Sequence, residues 1–169
     1  KLSDADYTVR KEAVTFLGME KNKKNLPYLL KRLKDPNGEV RRVAVEACVR
    51  TGAAKAIGPA ILETLKTEKE VGTINAAIDA LSRIKYVEAI PEIKKKLSHP
   101  FPTVRTYTVK ALGEYGDEES YPLVVDKLID PAEGVRLEAM KVVINRKIKS
   151  AEPALIENLG YPMGIIRRE

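Results

Sequence analysis

Tryptophan is absent from this 169-residue chain, histidine and cysteine occur once each, and phenylalanine twice. With aromatics at 5%, platforms on which nucleobases or ring ligands stack are scarce. The lone Cys48 excludes an internal disulfide framework and says nothing of redox compartment. A single histidine, His99, followed at once by Pro100, argues against a histidine-built metal centre. No apolar run approaches the roughly 20 residues that span a bilayer, and no secretory signal is visible. Neither sign of charge dominates. Thirty Lys and Arg against twenty-four Asp and Glu leave a net charge of +6, room for a basic face but no requirement for one. No glycine-rich phosphate loop follows a strand.

What the chain does contain is a unit that returns every 31 to 33 residues. Asp35-Pro36-Asn37-Gly38-Glu39-Val40-Arg41 is nearly copied as Asp130-Pro131-Ala132-Glu133-Gly134-Val135-Arg136. Weaker copies run Asp4 to Arg10, His99 to Arg105 and Tyr161 to Arg167. In five repeats an apolar stripe runs at i, i+4, i+7 and i+8: Val9, Ala13, Phe16, Leu17, then Val40, Ala44, Ala47, Cys48, and so on to Val135, Ala139, Val142, Val143. That spacing predicts an amphipathic helix, since a strand would alternate every second residue. Small residues in the i+4 column allow neighbouring helices to approach closely.

Prolines then recur at Pro27, Pro59, Pro91, Pro122 and Pro153, each beside a second apolar pattern such as Leu26, Leu29, Leu30 and Leu33. Proline suits the first helical turn, where its missing N–H has no partner to lose, so each marks a second helix. Gly18, Gly52, Gly113 and Gly116 are expected to supply left-handed backbone at helix ends. A pair about 31 residues long cannot cover its own apolar faces, so neighbours must stack. The fold expected is all-α: an α-solenoid, or superhelix, of about five helical hairpins plus a partial sixth. The expected domain is single, 1–169, with repeats at about 3–34, 35–66, 67–98, 99–129 and 130–159 and a partial unit at 160–169. The start at Lys1 and the stop a few residues into a new pattern suggest a piece of a longer chain.

The pattern Asp-Pro-x-x-x-Val-Arg-x-x-Ala, then Leu-Gly, then Pro-x-Leu-x-x-x-Leu resembles the HEAT-like repeats, in the short-repeat class seen in phycobilin lyases, over nearly the whole chain. The resemblance implies an inter-repeat Asp–Arg ladder formed by Asp4, Arg10, Asp35, Arg41, Arg105, Asp130 and Arg136. Physically, such an Asp can cap the first helix, and Arg offers a fork of donors to carboxylates of its own and adjacent repeats. Repeat three departs from the pattern: Thr67 takes the Asp slot and Thr73-Ile74 replaces Val-Arg, while His99 takes the Asp slot of repeat four. Other enzymes that resemble this repeat class depend on several His-Glu pairs or on tryptophans, which this chain lacks, and nothing in the residues identifies a tetrapyrrole site. Cys48 stands in a core column, a setting for a small buried hydrophobe rather than a nucleophile.

The residues therefore predict a chain that is not an enzyme, with no catalytic residue, metal or cofactor. The expected role is a protein–protein interaction scaffold gripping a partner on the concave face lined by second helices. Candidate contact residues are Lys31, Arg32, Lys94, Lys95, Lys96 and Lys127. A nucleic acid or other polyanion on that lysine-rich stripe is the first alternative; an accessory repeat domain of a larger enzyme or membrane protein is the second. Apolar Met163, Ile165 and Ile166 in the last, uncapped repeat point to end-to-end self-association. No membrane insertion is expected, and the expected location is cytoplasmic.

Overall fold

A computed structural model of the chain describes residues 2–159. The partial sixth repeat, with Met163, Ile165 and Ile166, lies outside the described residues. The chain divides into two compact units, residues 1–92 and 93–169. Among the described residues the elements are helices: α1 (Tyr7–Met19), α2 (Leu26–Arg32), α3 (Gly38–Arg50), α4 (Ala54–Thr67), α5 (Val71–Arg83), α6 (Ile90–Lys95), α7 (Pro102–Tyr115), α8 (Tyr121–Val125), α9 (Glu133–Arg146) and α10 (Glu152–Leu159), joined by short 3-10 turns. The fold class is the all-α repeat solenoid that the periodicity predicts.

In the first unit the first helix of each repeat stacks on the next, α1 on α3 and α3 on α5, with α2 against α3 and α4 against α5. In the second unit α7 stacks on α9, and α8 packs on both. The core is the set of predicted columns. Val40, Ala44, Cys48, Ala77, Leu81, Val104, Leu112, Val135 and Ala139 are all fully buried. Each large apolar side chain so buried contributes roughly 1.5–3 kcal/mol. The first repeat breaks this rule. Phe16 stands in the column of Ala47 and Val142, which are 2% and 7% exposed, yet it is itself 62% exposed. No described helix is long and apolar enough to cross a membrane.

Proline occupies the second helical position at Pro27, Pro91, Pro122 and Pro153, as expected for a residue without an N–H to donate. Pro59 differs, lying inside α4. The 3-10 turn that precedes the other second helices, such as Lys23–Asn25 or Val87–Ala89, is here replaced by α-helix from Ala54, which moves the start upstream of the proline.

The glycine expectation is half corrected. Gly52 and Gly116 are left-handed, each at φ 71°. Gly18 and Gly113 instead lie inside α1 and α7 and are small because a neighbour presses on them. A Cβ at Gly18 would stand 2.6 Å from the Cβ of Ala47, and one at Gly113 would stand 2.6 Å from a methyl of Val142. The left-handed position after α1, α5 and α9 is filled by lysines: Lys21 (φ 51°), Lys85 (φ 54°) and Lys147 (φ 54°). A side chain there costs roughly 1 kcal/mol that glycine avoids. Lys147→Gly, at an exposed position, is expected to raise stability by up to about 1 kcal/mol; an unchanged or lower chemical-denaturation midpoint would contradict this.

Candidate functional site

The best-built feature is the ladder of arginines and acids. Arg10 lays its guanidinium fork on Asp35, Nε donating to Oδ2 at 2.9 Å and Nη2 to Oδ1 at 2.8 Å. Arg105 repeats this on Asp130 at 2.9 and 2.7 Å. The remaining nitrogen, Nη1, donates to two carbonyls of the arginine's own repeat: Asp4 and Ala5 for Arg10, His99 and Pro100 for Arg105. Arg136 grips the Asp130 and Pro131 carbonyls in the same way. Arg10 and Arg105 thus tie their own helix entries to the acid of the following repeat, rather than to a carboxylate of their own repeat. The acids do not cap the helices directly. Asp35 accepts the N–H of Asn37 at 3.0 Å, and Asn37 is the N-cap of α3.

One link was not legible at its expected position. Arg41 forks onto Glu68, at 2.7 and 2.8 Å, so Glu68 plays the part of the acid although the repeat pattern puts Thr67 in that slot. Its Oε1 also accepts the N–H groups of Lys69 and Glu70, both at 2.9 Å. The signal was the acid one residue on, with its side chain a methylene longer. The next link has neither half: Ile74 replaces the arginine and His99 the acid. The two oddities of the sequence are thus complementary halves of one missing link.

Burial pushes the carboxyls of Asp35, Glu68 and Asp130 upward, but the hydrogen bonds and charges of their arginines, with the backbone N–H groups, outweigh it and hold all three below their ordinary range. Burial, Lys96 and Arg105 hold the His99 imidazole down. A depressed acid stabilises the fold above its unfolded pKa and loses that contribution as pH falls through its folded value, and a depressed histidine acts in the same direction. Stability is therefore expected to hold near neutrality and to fall steeply on acidification below about pH 4. A denaturation midpoint unchanged down to pH 3 would contradict the depressed values.

The basic candidates are less uniform than their columns suggest. Lys31 is exposed on α2, and Lys95 is exposed on α6. Arg32 is mostly covered, its Nη1 donating to the Leu2 carbonyl at 2.9 Å and to Asp35 at 3.1 Å. Lys94 pairs with Asp117 at 3.1 Å, and Lys127 lies 3.9 Å from Asp130. Lys96 is half-buried just after α6, in the 3-10 turn Lys96–Ser98. Cys48 is fully buried, and burial pushes its thiol up to about 12. Among the described residues no three His, Cys, Asp or Glu side chains converge where a metal ion would sit.

Two concavities lie within the first unit. One, of about 840 Å³, is lined by Leu30, Leu33, Pro59 and Ala60 with Lys34, Lys69 and the Arg41–Glu68 pair at its rim. The other, of about 930 Å³, is the open face of α1, lined by Leu2, Val9, Ala13, Phe16, Leu17 and Tyr28.

The family model for HEAT repeats matches residues 1–69, 29–95 and 58–144. The phycocyanobilin lyase subunit alpha of Picosynechococcus sp. strain PCC 7002 is 29% identical over 146 residues, which is 80% of this chain and 53% of that protein. The chain thus spans about half the length of this curated relative. Among solved structures, the complex of CpcE and CpcF of phycocyanin lyase from Nostoc sp. PCC7120 superimposes with a TM-score of 0.74 at 22% identity, covering 99% of this chain and 70% of that one. YibA of Escherichia coli gives 0.74 at 24% identity, covering 96% and 63%. At these identities the structural matches bear on the fold alone. The relative overturns the expectation that the chain is not an enzyme, because it bears the name of a lyase subunit. Metal sets, reactive cysteines and phosphate loops are chemistry that leaves a local signature in a sequence. Catalysis by holding reactants in register requires none of these. Matched by the family model over most of its length, the chain belongs to the HEAT-repeat family.

Proposed function

We propose that this chain is the HEAT-repeat portion of a bilin-lyase-type subunit, one that engages a protein partner and holds a bilin during its attachment. The observation that carries this reading is the 29% identity to a phycocyanobilin lyase subunit across 80% of the chain. The groove beside α2 and α4 suits such a ligand. Leu30, Leu33, Pro59 and Ala60 offer apolar contact to a conjugated ring system, and Lys34 and Lys69, which share the lining with Glu63 and Glu70, are the cations toward which its acid groups would turn. The polyanion alternative draws less support, because Arg32, Lys94 and Lys127 each lie against an internal carboxylate.

Visible absorption during titration with phycocyanobilin tests the proposal. The wild-type chain is expected to shift and sharpen the bilin band saturably. Lys34→Glu with Lys69→Glu is expected to weaken that binding by about tenfold or more. A spectrum indifferent to the protein would refute the reading. An equal response from the double variant would remove the groove from it.

A further inference from the structure

The turns that follow α1, α3 and α5 lie along one edge of the first unit. Gly18, near the end of α1, meets Ala47, near the end of α3. Gly38, the first residue of α3, meets Glu70, and its carbonyl accepts the Thr73 hydroxyl at 3.0 Å. The three helices therefore run parallel, with their C-terminal ends side by side and roughly 10 Å between neighbours.

That edge holds the positive charge of the unit. Over residues 1–92, seventeen Lys and Arg stand against thirteen Asp and Glu. Residues 20–25, 50–55 and 83–88 carry seven of those cations and two of the acids, so the remainder holds ten against eleven. All seven are exposed, from Lys21, Lys23 and Lys24 on the first turn to Lys85 on the third. Two of these lysines stand where glycine would fit with less strain. The left-handed position is Gly52 in repeat two and Gly116 in repeat four, but Lys21 in repeat one and Lys85 in repeat three. A backbone cost kept at an exposed position points to what the side chain does outside the fold. The helix dipole does not account for Lys85, since α5 already ends on Arg83.

Between the two lysine-bearing turns the chain is cut short. Three residues, 51–53, join α3 to α4, whereas six join α1 to α2 and six join α5 to α6. A Cβ added to Gly52 would meet no atom within 4 Å. Gly52, Ala53 and Ala56 thus form a low floor between flanks about 20 Å apart. An α-helix with its side chains is about 10–12 Å across and fits between them. A nucleic-acid duplex, whose grooves alone are about 12 and 6 Å wide, is too broad to reach the floor. A flat bilayer would rest on the flanks, where exposed Glu20 and Glu88 oppose anionic lipid. We infer that this edge docks an acidic α-helix of a partner protein, its backbone over Gly52 and its carboxylates turned to the lysines on either side. This deepens the partner half of the reading above and rests on it for the partner being a protein. The groove beside α2 and α4 shares no residue with the edge.

The probe is a fluorescein-labelled, alanine-based helix of about 24 residues, long enough to hold its structure alone, with two rows of glutamate flanking an alanine stripe. A control peptide of equal composition spreads its glutamates around every face. Anisotropy titrations with the full chain are expected to show saturable, salt-weakened binding of the patterned helix, about tenfold tighter than the control. Lys21→Gly with Lys85→Gly is expected to weaken it by about tenfold while the chemical-denaturation midpoint rises, which separates lost docking from lost fold. Gly52→Lys adds a cation but fills the floor, and a loss of about threefold or more is expected. Tighter binding by Gly52→Lys, or equal affinity for both peptides, would reduce the edge to a diffuse cationic patch and overturn the inference. So would no binding, a stronger response to duplex DNA or phosphatidylserine vesicles, or a self-association that Lys21→Gly with Lys85→Gly abolishes. Phycocyanobilin titration of that double variant is expected to match wild type. Lys34→Glu with Lys69→Glu is expected to bind the helix as wild type does, so this inference and the bilin reading fail separately.

Discussion

Arg105→Ala is expected to destabilise the chain by about 3–5 kcal/mol, among the largest losses available from one substitution outside the apolar core. The guanidinium is 10% exposed and its partner, the Asp130 carboxylate, 3%. Removing it leaves a buried negative charge with the Ala132 N–H and, at 3.9 Å, Lys127. It also releases the His99 and Pro100 carbonyls that Arg105 draws in at 2.8 and 3.1 Å. Lysine cannot substitute, because a point charge cannot span two carboxylate oxygens and two carbonyls at once. Arg83 supplies the contrast. Its side chain is 64% exposed and 3.7 Å from Asp79, so Arg83→Ala is expected to cost no more than about 0.5 kcal/mol. Equal losses for the two, measured by chemical denaturation, would contradict a ladder in which burial decides the energy.

Gly18→Ala should produce the next largest effect, and its sign is instructive. On an isolated helix alanine would gain roughly 1 kcal/mol over glycine. Here the added methyl would stand 2.6 Å from the Ala47 Cβ and 2.9 Å from its Cα. The second of these is backbone and cannot swing away, so α1 and α3 must separate. The expected outcome is a net loss of about 1–3 kcal/mol. Ala47→Gly in the same chain is expected to recover only part of it, because it removes the Cβ that the new methyl meets but leaves the Cα at 2.9 Å. A stabilising Gly18→Ala would show that the glycine serves the backbone rather than the packing.

These two sites mark where the sequence is readable and where it is not. The apolar columns are legible because burial by a neighbouring repeat is a periodic demand, and periodicity is visible in one dimension. The prolines are legible for a similar reason: each answers a local rule about the first turn. Gly18 is opaque because a glycine in an α-helix looks the same whether it bends the chain or makes room for Ala47. Lys21, Lys85 and Lys147 hide the helix ends, because they take left-handed φ without the expected residue. Glu68 was missed since a longer side chain one position later reaches the same guanidinium as an Asp in register. Phe16 was placed in a buried column by its spacing, which carries no information about whether a neighbouring helix covers that column.

The candidate site was less legible than the fold. A charge in a sequence does not reveal its partner, so Lys94 and Lys127 read as part of an outward stripe, whereas Asp117 and Asp130 lie beside them. The groove beside α2 and α4 joins residues from Leu30 to Glu70, which no local motif unites. The expected absence of enzymatic function failed for a different reason. A repeat surface that orients reactants leaves no signature of the nucleophile-and-base kind.

Arg10, Arg41 and Arg105 each close on an acid of the next repeat, and Arg41 with Glu68 tests this link at a position that the repeat pattern does not mark. A double-mutant cycle of Arg41→Ala, Glu68→Ala and the pair, followed by chemical denaturation of the whole chain, measures the coupling directly. The expected result is a coupling of at least about 1.5 kcal/mol, as befits a fork at 2.7 and 2.8 Å on a carboxylate 3% exposed. Losses that simply add, with no coupling between the two positions, would contradict it.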